Sequence, residues 1–143
     1  MTISDIASRR GFLRGSLTML VAASAPRRAL AALSRMAQPS PHPTPRPGIT
    51  GAKVLSASEL SAKPGLIPLF DAVRAAPGII DGIRCHCGCA NEPGNYSLLT
   101  CFEAPAMALS CVICQGQGRL ATRLYAEGKS LDEIRAAVDA KFD

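Results

Sequence analysis

The chain has no tryptophan, and its 143 residues include only two tyrosines and four phenylalanines. So few rings weigh against a large core, and the length allows one small domain at most. Basic runs with interleaved aromatics are also missing. The formal charge is +5, but it is unevenly placed: residues 1–31 hold five arginines against one aspartate (+4), and residues 32–143 hold eleven Lys/Arg against ten Asp/Glu (+1). That balance excludes a nucleic-acid binder. There are just two histidines, no H-E-x-x-H, no glycine-rich phosphate loop and no nucleophile elbow. Hydrolase and transferase readings find no support, and no catalytic residue is assigned. No C-x-x-C-H occurs, so covalent c-type haem is excluded. Asp132, Glu133 and Asp139 read as solvated helix charges.

What is present begins with a leader. Ser8-Arg9-Arg10-Gly11-Phe12-Leu13-Arg14 resembles the bacterial twin-arginine export signal, and an uncharged stretch runs from Gly15 to Pro26. Those dozen residues are too few for a bilayer span, which needs about 20 apolar residues. They suit the apolar region of a signal peptide, and Ala29-Leu30-Ala31 offers a cleavage site. Residues 1–31 are therefore read as a twin-arginine signal peptide. The expected partner during export is the twin-arginine translocase, which accepts folded cargo. No cysteine lies near the leader to carry lipid. After cleavage the protein is expected to be soluble, with no stable membrane anchor, in the periplasm or otherwise outside the cytoplasmic membrane.

Residues 32–51 read as a proline-rich linker. Five prolines fall between Ala37 and Pro47, which favours extended backbone and forbids helix. This predicts a disordered spacer, with His42 a bystander. A cysteine-rich domain is placed at 52–143. "IPLFDAVRAAPG" predicts a short helix with Pro68 in its first turn and Leu69, Val73 and Ala76 facing inward, ended by Pro77-Gly78. "SCVICQGQGRLATRLYAEGKS" predicts a helix capped by Ser110, with Ile113, Leu120, Ala121 and Leu124 on its apolar face and Gly128 as stop. Gly116 and Gly118 suggest close packing against the cysteine loop. Ser130 and Glu133 form a capping box, and Leu131, Ile134, Val138 and Phe142 follow at helical spacing. The short connection makes these two helices a hairpin. The expected fold is mainly α: a small cysteine-rich helical domain with a Cys loop packed on a C-terminal helix hairpin.

The chemistry lies in six cysteines: Cys85, Cys87, Cys89, Cys101, Cys111 and Cys114. Three readings compete. An even count in an exported chain suits structural disulfides, with 15 pairings for six cysteines. Alternatively, the six are soft-metal ligands for Zn or Cu(I). Alternate residues of extended chain share a face, a bend at Gly88 would gather Cys85, Cys87 and Cys89, and Cys111 and Cys114 share one helix turn. His86 alternates away from those sulfurs. Third, Cys111-x-x-Cys114 at a helix start suits thiol–disulfide exchange, since the helix N-terminus favours thiolate. Metal binding is preferred, because six sulfurs meet in a tiny, aromatic-poor domain that needs a staple.

Arg84-Cys85-His86-Cys87-Gly88-Cys89, Ser97-Leu98, Cys101-Phe102, Cys111-x-x-Cys114 and "YAEGKSLDEIR" resemble the bacterial PCYCGC-motif family, over about residues 66–142. All three motif cysteines and Gly88 match; Arg84 stands for the proline and His86 for the tyrosine. Family members are often lipoproteins, whereas this chain carries a twin-arginine leader. The resemblance implies a fold grouping and little mechanism. Over the tail alone, Cys111-Val112-Ile113-Cys114-Gln115 and "GKSLDEI" are similar to the thiol-reducing subunit of cytochrome c maturation, with Ser110 in place of its arginine.

Overall fold

The computed structural model describes residues 41–142. The leader read at 1–31 and the first part of the linker lie outside the described residues. The described chain is helical and contains no strand; Val54 and Glu103 form one isolated bridge. A 3-10 turn at Pro64–Leu66 leads into α1 (Ile67–Ala75), followed at once by α2 (Pro77–Asp81). Short 3-10 turns at Cys89–Asn91, Leu99–Phe102 and Met107–Leu109 carry the chain to α3 (Val112–Ala126), which packs in a hairpin with α4 (Leu131–Phe142).

Sequence chemistry accounts for most of these boundaries. Pro68 sits in the first turn of α1, where a missing N–H costs nothing, and Leu69, Phe70 and Val73 face inward. Pro77 does end α1, but it also opens α2, which buries Ile80 and Asp81. The α3–α4 connection turns at Gly128, whose φ of +81° is the left-handed conformation that glycine adopts without a Cβ clash. The Ser130 N–H donates to Glu133 Oε2 at 2.9 Å, and the Glu133 N–H returns a bond to Ser130 Oγ at 3.4 Å. The expected capping box is thus formed.

On α3 the structure shifts the expected register. Cys111 is the N-cap rather than Ser110, and its sulfur accepts from the Cys114 N–H. The inward stripe is Cys114, Gln117, Gly118 and Ala121, at i, i+3, i+4 and i+7, whereas Ile113 is 38% exposed. The two glycines admit aromatic rings, not the cysteine loop. A Cβ on Gly118 would lie 2.7 Å from Phe102 Cζ, and one on Gly116 would lie 3.1 Å from Phe142 Cζ. Phe102 in turn meets Phe70 edge-on, with centroids 4.9 Å apart. This pair anchors the core beside Leu60, Leu69, Leu98 and Leu99.

The disordered-spacer reading fails from residue 41 onward. Prolines remove several N–H donors from this segment, which keeps one internal backbone bond, Ile49 N–H to the Arg46 carbonyl at 3.2 Å, and its other polar groups are met largely by the domain. Arg135 Nη2 donates to the Pro43 carbonyl at 2.8 Å, and the Tyr96 hydroxyl donates to the Thr44 carbonyl at 2.5 Å. Asp81, wholly buried, accepts from the Arg46 backbone N–H at 2.8 Å, from Arg46 Nη2 at 2.7 Å and from Ser97 Oγ at 2.7 Å.

Burial alone would raise the Asp81 pKa, but the hydrogen bonds from Arg46 and Ser97 and the charge of Arg46 hold it below the ordinary value. Removing Arg46 strands that carboxylate. The Arg46 side chain is 38% exposed, so the cost falls at the low end of the buried-pair range. Arg46→Ala is expected to lower unfolding free energy by about 3 kcal/mol in denaturant titration. Because the folded pKa is depressed, the unfolded chain takes up the proton first as pH falls. The stability contributed by the Asp81 carboxylate is therefore complete above about pH 5 and is lost as pH falls through the folded pKa. The stability gap between the native chain and Asp81→Asn should narrow over that acid window.

Candidate metal centre

The thiol loop leaves α2 through Ile83, whose carbonyl accepts from the Leu98 N–H at 2.8 Å. Cys85 and Cys87 alternate along it. Gly88 then adopts φ +85°, which reverses the chain and brings Cys89 back over the first two. Sγ separations are 3.2 Å for Cys85–Cys87, 2.9 Å for Cys87–Cys89 and 3.2 Å for Cys85–Cys89. The first turn of α3 supplies the fourth sulfur. Cys114 Sγ lies 3.6 Å from Cys85 and 3.5 Å from Cys87. All four sulfurs lie within 4.8 Å of one another, and no carboxylate or imidazole is among them.

The remaining two cysteines adjoin this group. Cys101, fully buried in the Leu99–Phe102 turn, has its Sγ 3.3 Å from Cys89. Cys111, half-buried at the α3 cap, sits against Cys114, from whose N–H its sulfur accepts at 3.4 Å. All six are free thiols. Their separations exceed the ~2.05 Å of a disulfide. At 2.9 to 3.6 Å they lie below the ~3.8 Å edge of a thiolate tetrahedron with ~2.3 Å metal bonds, so the sulfurs would spread slightly around an ion. All six sulfurs singled out by the sequence are therefore brought together, four as one compact group and two at its edges. A pocket of about 260 Å³ reaches the group at Cys89, with Asn95 and Met107 on its wall.

The electrostatics of the cluster follow from crowding. Sulfur contacts from Cys101 and Cys114 favour the Cys85 thiolate and, against the effect of burial, pull its pKa far down. Cys114 moves the opposite way, held protonated by its contacts with Cys101 and Cys85 and by burial. Burial likewise raises Cys87. At the rim, burial opposes ionisation of Cys111, yet hydrogen bonding from Cys114 keeps its thiol below the ordinary value.

The His86 ring points away from the sulfurs. Its backbone N–H donates to Gln117 Oε1 at 3.2 Å, Gln117 Nε2 donates to its Nδ1, and its Nε2 meets Asp139 Oδ1 at 2.9 Å. Asp139 is thus not the solvated charge its sequence position suggested. It bridges His86 and His42, whose Nε2 lies 3.0 Å from it. Burial opposes its ionisation, but the hydrogen bonds from His42 and His86 outweigh that and hold its carboxyl below the usual value. Gln117 was not singled out by sequence, and Asp139 was named there only as a solvated charge. The one available signal was the position of Gln117, three residues after Cys114 and on the same face.

No family model, curated protein or solved structure matches the chain. No described helix is long and apolar enough to cross a membrane.

Gln117 is fully buried, and it fixes the thiol loop through both backbone and ring of His86. Gln117→Ala leaves the His86 N–H without its partner and opens a void. Denaturant titration should show a loss of about 2–3 kcal/mol.

Proposed function

We propose that this chain is an exported cysteine-rich protein that binds a soft metal ion, Zn(II) or Cu(I), through clustered thiolates. The observation that carries this reading is the set of four mutually adjacent sulfurs, Cys85, Cys87, Cys89 and Cys114, with no oxygen or nitrogen ligand among them. Sulfur-only donor sets select soft or borderline cations over hard ones. A thiolate site also binds metal in competition with protons, so each bound ion releases protons and affinity falls as pH falls.

The test uses full chain purified reduced and without oxygen. Native and denatured mass should differ by bound metal, and the metal-free, reduced chain should take it up again. Cys87→Ser and Cys114→Ser should each weaken binding at least tenfold, since each removes a ligand from a different arm. His86→Ala should change it much less, because its ring faces Gln117 and Asp139. Three full disulfides, with no metal uptake after gentle reduction, would sink the proposal in favour of a covalent staple.

Thiol–disulfide exchange at Cys111-x-x-Cys114 is the second reading, favoured by the lowered thiol of half-buried Cys111 at a helix N-cap. In metal-free reduced protein it requires Cys111 to alkylate well ahead of buried Cys101 near pH 6, and to pass a disulfide to a model substrate. Export rests on the leader, and kinship with the PCYCGC-motif proteins on the Cys85–Cys89 motif. Replacing Arg9 and Arg10 together by lysine should retain the precursor in the cytoplasm, as read by cell fractionation; undiminished export would remove the twin-arginine assignment.

A further inference from the structure

We propose that the cluster is a polynuclear Cu(I)–thiolate site, in which all six cysteines hold more than one copper ion and some thiolates bridge two ions. The inference rests on the soft-metal reading above and narrows it in both metal and stoichiometry.

One tetrahedral ion is already satisfied by Cys85, Cys87, Cys89 and Cys114. Two further sulfurs nevertheless abut that group. Cys101 has no solvent exposure, and its Sγ lies 3.3 Å from that of Cys89. Cys111 adjoins the group at the α3 cap, where its Sγ accepts from the Cys114 N–H at 3.4 Å. Cys101 thus extends the Cys85–Cys89 edge to three sulfurs, and Cys111 adds a sulfur at the Cys114 arm. A thiolate keeps lone pairs after binding one ion, so it can serve a second.

The arrangement also separates copper from zinc. A second tetrahedral ion built on all six sulfurs would need Cys101 and Cys111 to share two bridging partners. They meet the group at different members instead, Cys101 at Cys89 and Cys111 at Cys114. Three-sulfur faces suit Cu(I), which accepts three-coordination by soft donors. The Met107 thioether on the wall of the pocket at Cys89 adds a soft donor on the approach to that side. As each thiol becomes a ligand, its S–H bond gives way to S–Cu and one proton leaves; copper enters and remains as Cu(I), so no electron moves.

The test is titration of reduced, anaerobic full chain with Cu(I), buffered by a chromogenic Cu(I) chelator and read by native mass and by the emission of solvent-shielded Cu(I)–thiolate clusters. More than one Cu(I) per chain, with emission, is expected. Cys101→Ser and Cys111→Ser should each lower the stoichiometry by at least one ion while leaving a first ion bound. Cys111→Ser is the arm that does not depend on core packing, since serine is itself a favoured N-cap and helicity by circular dichroism should persist. A single Cu(I) per chain, unchanged by either substitution, would overturn the polynuclear site and leave the soft-metal reading intact. Uptake of two Zn(II) through all six thiolates, in preference to copper, would overturn the metal assignment. Binding of neither metal would end both readings.

Discussion

Asp81 carries a carboxylate into a site without solvent exposure, and the chain around it is arranged to meet that charge. Burying an ion costs several kcal/mol unless hydrogen bonds and an opposite charge offset it. The donors come from Arg46 in the proline-rich segment and Ser97 in the loop after the thiols. Arg46 is further held by stacking over Tyr96, 4.9 Å from the ring centroid. One buried charge thus ties the first described segment, the end of α2 and the far side of the cysteine loop. With Ile83 and Leu98 joined just beyond it, the thiols sit on a loop closed at its base.

The closed loop solves only part of the problem of gathering sulfurs. As thiols, cysteines pack like small apolar side chains, and Cys85, Cys89, Cys101 and Cys114 are core residues beside Phe102 and Leu98. As thiolates they repel one another, and the opposing shifts at Cys85 and Cys114 express that conflict. A cation held among them would supply the missing positive charge, and its binding would then be coupled to the stability of the fold. Gln117 and the His86–Asp139–His42 chain hold the polar backbone of the loop outward, which leaves the sulfurs facing inward.

Much of the helical framework was legible because it rests on local rules. The capping box at Ser130 and Glu133, the turn at Gly128 and the stripe of Ile134 and Val138 each depend on residues within one or two turns. The α3 register was less legible. Ser110 is the better cap by propensity, yet Cys111 takes the position because that aims Cys114 at the thiol loop. Tertiary demand overrode a local preference of about 1 kcal/mol. The proline-rich segment was misread for a related reason: composition reports that it cannot be helix, and is silent on whether distant side chains will bind its backbone.

By itself, the sequence determined that six thiols lie in a small helical domain, that alternation and a glycine bend put three on one face, and that His86 turns away from them. Those are properties of backbone geometry over a few residues. Only the tertiary structure decided that Cys114 completes a compact group of four, that Cys101 adjoins it at Cys89 and Cys111 at Cys114, and that Asp139 and Gln117 brace the loop. These contacts join residues up to 97 positions apart, as between His42 and Asp139. No local period encodes such a pairing; it follows from how α3 and α4 pack against the loop once the charge of Asp81 has been met.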